Sequence, residues 1–234
     1  MDARTKRGGQ GQPSIMHSRR SFLARALKLV GGAGLLLGAA GGSARLLWAA
    51  TKRRVLAAQV KATDLAGYHP NSLDPRNLEI TPVEKFGTMG TSDFKVDVKT
   101  WRLEIDGLVQ KTLRLDLAQL QSRPVLERKV LLICPGVFSY YACWQGLSLA
   151  ALLKEAGLDK KATHIEVRGP RGSGVEKFEK FPLREVLSDQ VFLAYQVNGA
   201  PLPIKHGFPL RVVAGDHYGD DWVKYVYSVK AVSA

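Results

Sequence analysis

Apolar and polar positions alternate along Trp101-Arg-Leu-Glu-Ile-Asp-Gly107, the pattern of a strand with one buried face that ends on an Asp-Gly turn. Val130-Leu-Leu-Ile-Cys134 is instead a continuous apolar run closed by Pro135-Gly136, which predicts a buried strand delivering Cys134 to a loop. Leu149, Leu152 and Leu153 fall at helical spacing. With Ser148 as N-cap and Gly157 as terminator they predict a helix through Ala156. His164 to Val167 reads as another strand, and Gln190 to Val197 leads into Asn198-Gly199, a hairpin signal that requires a partner strand. Leu210 to Ala214 and Trp222 to Val232, rich in Val, Tyr and Trp, read as further strands. Residues 55–79 hold Pro70, Asn71, Asp74 and Pro75 and read as an extended lead-in on the domain surface. The class expected is α+β, strand-rich with short helices, in one domain over 80–234.

Composition changes this picture at one end only. Of the 34 lysines and arginines, 11 lie in residues 1–54 beside a single acid, Asp2, so that segment carries +10 of the formal +13. The folded part is nearly balanced, which argues against nucleic acid as a partner, because counterion release needs a basic face on the folded body. Within the basic segment, Ser18-Arg19-Arg20-Ser21-Phe22-Leu23 precedes a charge-free stretch from Leu29 to Ala44, and the paired arginines match a twin-arginine export signal. Residues 1–54 are therefore expected to be a leader read by the twin-arginine translocase. The protein is then periplasmic or otherwise exported, or tethered to the membrane by an uncleaved leader. An ordinary membrane anchor is the alternative, although six glycines in a 16-residue stretch make a weak span. Leaders of this kind generally accompany proteins exported already folded around a cofactor.

Two cysteines nine positions apart, Cys134 and Cys143, are too few for a disulfide scaffold and wrongly spaced for a zinc ribbon. Cys134 alone could be a buried small apolar residue, a soft metal ligand, or half of a disulfide with Cys143. Arg211 and Lys224, taken alone, would be solvated strand charges, and His206 a turn residue.

The stretch Val191-Phe-Leu-Ala-Tyr-Gln-Val-Asn-Gly-Ala-Pro-Leu-Pro-Ile-Lys-His-Gly-Phe-Pro-Leu-Arg-Val-Val213, continuing through Tyr218-Gly219 to Trp222-Val223-Lys224, closely resembles the molybdopterin-binding segment of sulfite oxidases and related exported reductases. Ile80-Thr81-Pro82 with Phe86 resembles the family's opening motif, and Cys134 to Gly146 its cysteine block. The resemblance implies a sulfite oxidase-type fold holding a molybdenum-molybdopterin, with Cys134 as catalytic thiolate and metal ligand. It implies pterin contacts from His206, Arg211, Trp222, Val223 and Lys224. The reaction implied is two-electron oxygen-atom transfer on a small or sulfur-containing substrate. Electrons would pass to or from a separate redox protein, such as a membrane or periplasmic haem protein.

Two departures bear on the substrate. Relatives often place an arginine before the ligand cysteine where this chain has Ile133, and a more polar pair where it has Met89-Gly90. Arg128, Arg168 and Arg171 are the other cations that could line an entrance. A degenerate, non-catalytic binding module of the same fold is the rival reading. A membrane-anchored interaction protein closed by a Cys134–Cys143 disulfide is the other.

Overall fold

The structure, a computed structural model, describes residues 53–170 and 176–234. Its strands and helices in chain order are β1 (Arg54–Val55), β2 (Leu73–Asp74), β3 (Leu103–Gly107), β4 (Leu113–Leu115), α1 (Leu117–Gln121), β5 (Leu126–Cys134) and β6 (Phe138–Leu147). There follow α2 (Leu149–Ala156), β7 (His164–Pro170), β8 (Glu176–Pro182), α3 (Leu183–Leu187), β9 (Val191–Val197), β10 (Ala200–Pro201), β11 (Arg211–Ala214) and β12 (Ser228–Val232). One antiparallel sheet runs β10-β9-β6-β5, with β11 sharing the β9 edge used by β10; the other runs β4-β3-β12-β7-β8, with β3 and β12 parallel. Single-face alternation places Leu103, Ile105, Ile165, Val167, Val229 and Ala231 of the second sheet in one buried cluster with β6, β9 and α2.

The first sheet is buried on both faces, and this is what its unbroken apolar runs require. Along β5 and β6, Leu132, Tyr140, Ala142 and Trp144 enter the main cluster, whereas Leu131, Ile133 and Tyr141 point the other way. That second face is covered by Leu56, Ala62, Leu65, Leu73 and Leu78. The 55–79 segment is thus not the extended surface lead-in expected from its turn residues. Its prolines and polar residues make short 3-10 turns and the parallel β1–β2 pair, and its leucines close the sheet. Ser139 donates to the Ala62 carbonyl, and Gly136 N–H donates to Ala66 C=O at 2.9 Å, pinning the cover to the β5–β6 hairpin.

Local signals resolve as the sequence predicts in several places. Ser148 Oγ accepts from Ala151 N–H at 3.1 Å and Gly157 is left-handed, so α2 has the expected caps. Asn198 and Gly199 take φ of 51° and 78°, a two-residue turn suited to the β9–β10 hairpin. The Asn198 side chain donates to Thr81 C=O at 2.9 Å and accepts from Cys143 N–H at 2.9 Å, joining the Ile80-Thr81-Pro82 block to β6.

Trp222 to Val232 is not one strand. Only Ser228–Val232 pairs in the sheet, and Trp222 to Tyr227 is irregular, with Tyr225 at φ 57° interrupting extended backbone. Lys224 therefore sits on a loop and not early in a strand. The disulfide reading is also corrected, since both cysteines are free. In the β5–β6 register Cys134 faces Phe138 while Cys143 faces Lys129, five positions away, about 17 Å along the ladder and beyond disulfide reach. The leader residues before Arg53 lie outside the described residues, and among those described no helix is long and apolar enough to cross a membrane.

If the 55–79 cover is part of the core, Leu73→Ala, at a position 1% exposed, lowers stability by about 2–5 kcal/mol. The check is the urea midpoint at unchanged m value. A loss under about 0.5 kcal/mol would mean that the cover is detached in solution.

Candidate functional site

Cys134 ends β5 at a three-residue hairpin loop, on the same face as Leu132, so its thiol points to the main-core side of the sheet and away from the cover. There it meets a cavity of about 290 Å³. Its wall is built mainly from 87–91, the β5–β6 hairpin, the turn at His206 and the loop 219–225, with Arg211 of β11 and Pro170 and Lys177 of β7 and β8 completing it. Cys134, His206, Arg211, Trp222, Val223 and Lys224, every site residue named from the sequence, line this one cavity.

Arg211 is the dominant feature. It begins β11, is 3% exposed, and its guanidinium lies between the rings of Trp144 and Trp222 at 5.1 and 5.3 Å. Nη1 donates to His206 C=O at 3.0 Å, and the Tyr140 hydroxyl lies beside it. Among the described residues no carboxylate pairs with it. Burial pushes its pKa below the ordinary arginine value, although arginine still keeps its charge. A buried cation without a counter-ion costs several kcal/mol, so the site is incomplete without an anion.

Lys224 is the second uncompensated cation. Its Nζ donates to Met89 C=O at 2.9 Å, Thr88 Oγ1 at 3.2 Å and Lys205 C=O at 3.3 Å, tying three wall segments together without neutralising the charge. Desolvation and then Arg211 lower its pKa to about 8. Gly207, at φ 106°, lets the turn pass against Lys224, because a Cβ there would stand 3.0 Å from the lysine Cβ. Gly87 does the same for the strap 87–91 against the Phe138 ring.

His206 is 1% exposed, and its Nε2 has no partner. Burial first, then the charges of Arg211, Lys205 and Lys224, hold its pKa down at about 3, so the ring is neutral at physiological pH. Phe86 meets it edge-on at 5.5 Å and stacks on Tyr140 at 3.9 Å, which is how the opening motif reaches the site. Trp222 Nε1 and the Tyr225 hydroxyl are also buried without partners. Two unpaired cations and three orphaned polar groups around one cavity fit an anionic ligand that also carries a polar ring.

Cys134 Sγ donates to Met89 Sδ at 3.1 Å. Burial and then Asp220 raise the thiol pKa, so without a metal it stays protonated. The described residues hold no group of three or more His, Cys, Asp or Glu able to bind a metal, so Cys134 can ligate only a metal that brings its other ligands with it.

Of the strap Gly87–Thr91 sequence reasoning singled out only Met89-Gly90, as a departure that bears on the substrate, and it missed Phe138, Tyr140, Asp220 and Tyr225. The alternation Phe138, Tyr140, Ala142, Trp144 on the face shared with Cys134 was the available signal. Of the possible entrance cations, Arg128 and Arg168 are not in the wall. Arg168 is held by Glu166 and Glu176, and Arg171 lies outside the described residues. Lys177 lines the cavity but pairs with Glu179. Ile133, where relatives carry arginine, is fully buried on the opposite face.

These features define a cofactor-binding domain, one that presents a thiol beside a pocket for an anionic, ring-bearing group. Residues 89–234 match the family described as oxidoreductase molybdopterin binding domain. The chain belongs to the molybdopterin-binding oxidoreductases of the sulfite oxidase family, whose cofactor is molybdenum-molybdopterin. The protein-methionine-sulfoxide reductase catalytic subunit MsrP of Gluconobacter oxydans (strain 621H) is 33% identical over 165 residues, 62% of this chain and 53% of that protein. The uncharacterized oxidoreductase YuiH of Bacillus subtilis (strain 168) is 30% identical over 142 residues, 59% of this chain and 69% of that protein. Among solved structures, the sulfane dehydrogenase SoxCD from Paracoccus pantotrophus superposes with a TM-score of 0.56 at 26% identity, covering 60% of this chain and 40% of that one. The chain thus spans 53% of the length of MsrP and 40% of the SoxCD chain.

Because Arg211 is unpaired when the cavity holds no anion, Arg211→Met should stabilise the cofactor-free protein by about 1–2 kcal/mol in phosphate-free urea unfolding. A loss of more than about 1 kcal/mol would show that its stacking and hydrogen bond outweigh its desolvation.

Proposed function

We propose that this chain is the catalytic domain of an exported molybdenum-molybdopterin enzyme that transfers an oxygen atom to or from a sulfur-containing or other small substrate. The observation that carries this reading is the meeting of Cys134 with two uncompensated cations, buried Arg211 and half-buried Lys224, in one cavity. When bound, the cofactor supplies two-electron redox chemistry and the oxygen acceptor or donor position.

The chain's own residues do the rest. Arg211 and Lys224 would hold the pterin phosphate, each gaining the anion it lacks, while the indoles of Trp144 and Trp222 keep water from the guanidinium. His206, neutral, would offer Nε2 to the pterin ring, with Trp222 Nε1 and Val223 along the same wall. Cys134 would serve as the thiolate ligand to molybdenum.

The wall about Cys134 comprises Met89, Leu132, Phe138 and Tyr140, and Asp220 supplies a negative charge. Among the described residues, Lys177 is already paired and Ile133 faces away, so beyond Arg211 and Lys224, which this reading gives to the pterin, the wall offers no free cation to an anionic substrate such as sulfite. A neutral sulfur compound suits such a wall better, and the names of MsrP and SoxCD point to sulfur chemistry in two relatives. Electrons pass to or from a separate redox protein, and residues 1–54 act as a twin-arginine leader.

Protein made in a host that synthesises and inserts the cofactor should carry about one molybdenum per chain by elemental analysis, with matching pterin fluorescence. In Cys134→Ser, oxygen-transfer activity should fall by more than the ~10–100-fold typical of outer-shell changes, with pterin partly retained. Cys143→Ser should stay near wild type, because Cys143 lies on another part of the sheet. Protein containing neither metal nor pterin would leave only a non-catalytic binding module.

A further inference from the structure

The chain between β11 and β12 delivers Gly219, Asp220, Trp222, Val223, Lys224 and Tyr225 to the cavity. From Gly215 to Trp222 its backbone bonds are local turns, apart from Gly215 N–H to Gln190 C=O at 2.8 Å and Gly219 N–H to Ile133 C=O at 2.7 Å. Side chains must fix the remainder. Asp216 is held by Arg53 Nη1 at 2.7 Å and Gln190 Nε2 at 2.8 Å. His217 then reaches out of the loop: Nε2 lies 2.8 Å from Glu185 Oε2 on α3, and Nδ1 lies 3.2 Å from Asp221 Oδ2, one residue before Trp222. Phe181, at the end of β8, meets the imidazole edge-on at 5.4 Å.

Both ring nitrogens face carboxylates, so the bridge needs a proton on each. With one proton missing, one carboxylate would face a lone pair, and either α3 or the residue before Trp222 would be released. The charged groups facing the ring are Glu185 and Asp221, with exposed Arg184 on the other Glu185 oxygen at 3.4 Å.

We propose that His217 is a positioning residue for the cofactor: its bridge from Glu185 to Asp221 holds Trp222, Val223 and Lys224 against Arg211 and so sets how long the pterin is retained. The proposal rests on the cavity being the pterin site. Asp221 chiefly, then Glu185, raise the His217 pKa to about 9 against desolvation. A folded pKa above the unfolded value of 6.5 contributes fully below the unfolded value and is lost as pH rises through about 9.

The test uses loaded wild type, His217→Gln and His217→Lys, following pterin release by fluorescence from about pH 6 to about pH 10. Near neutral pH, His217→Gln should release pterin about tenfold faster or more, the lower end of what outer supports of a metal site contribute. Wild type should approach the variant as pH passes about 9. Lys224 titrates in both proteins, so their ratio isolates the histidine. His217→Lys, which keeps a charge between the carboxylates, should recover part of the retention. Asp221→Asn, with the histidine intact, should fall between them, which keeps the test open if His217→Gln loads poorly. A merely structural histidine would lower thermal stability and leave the release ratio flat with pH, and equal release or a flat ratio overturns the proposal. Wild-type protein that carries no pterin when made with working cofactor supply overturns the cavity reading, and the proposal with it.

Discussion

A guanidinium buried between two indoles, with no carboxylate of the described residues beside it, is the constraint around which this molecule is arranged. Such a charge is unstable in an apolar interior unless something supplies an anion, and the described residues supply none. Lys224 repeats the arrangement, spending its hydrogen bonds on carbonyl and hydroxyl oxygens. His206 is kept neutral by its burial first and by the same field second, so its Nε2 remains free to meet a ligand.

The architecture serves this cavity by separating support from contact. Both faces of the first sheet are buried, one by the main core and one by the 55–79 cover, which fixes the strand that presents Cys134. The contact groups come from stretches without regular ladders: the strap 87–91, the turn before Gly207, and the loop 219–225. Lys224 binds the first two to the third, and His217 anchors the third to α3. Apart from Arg211, which begins β11, and Cys134, which ends β5, the cofactor residues thus lie on loops held by side-chain ties, where position can be set without disturbing the sheets.

What was legible in the sequence depended on how local the cause was. The α2 helix could be read because its cap, spacing and terminator lie within ten residues, and the Asn198-Gly199 hairpin because φ preference is a property of those two residues. Trp222 to Tyr227 could not, since Val, Tyr and Trp are equally at home in a strand and in a buried irregular loop. The cover was misread because its leucines follow neither period, being set by the sheet beneath and not by their own backbone. Convergence of Cys134, His206, Arg211, Trp222, Val223 and Lys224 on one cavity was legible only through motif resemblance, because no spacing rule links residues on four separate segments. Tyr140 and Asp220 escaped because their part depends on tertiary neighbours.

The central claim is that the cavity's cations await an anionic cofactor. Calorimetric titration of cofactor-free protein with a simple phosphate monoester, which is already dianionic above about pH 7, tests it most directly. Saturable binding should appear near neutral pH. It should weaken as pH rises past about 8, where free Lys224 loses its proton, and vanish in Arg211→Met. Absence of binding at any pH, or binding unchanged by Arg211→Met, would contradict it.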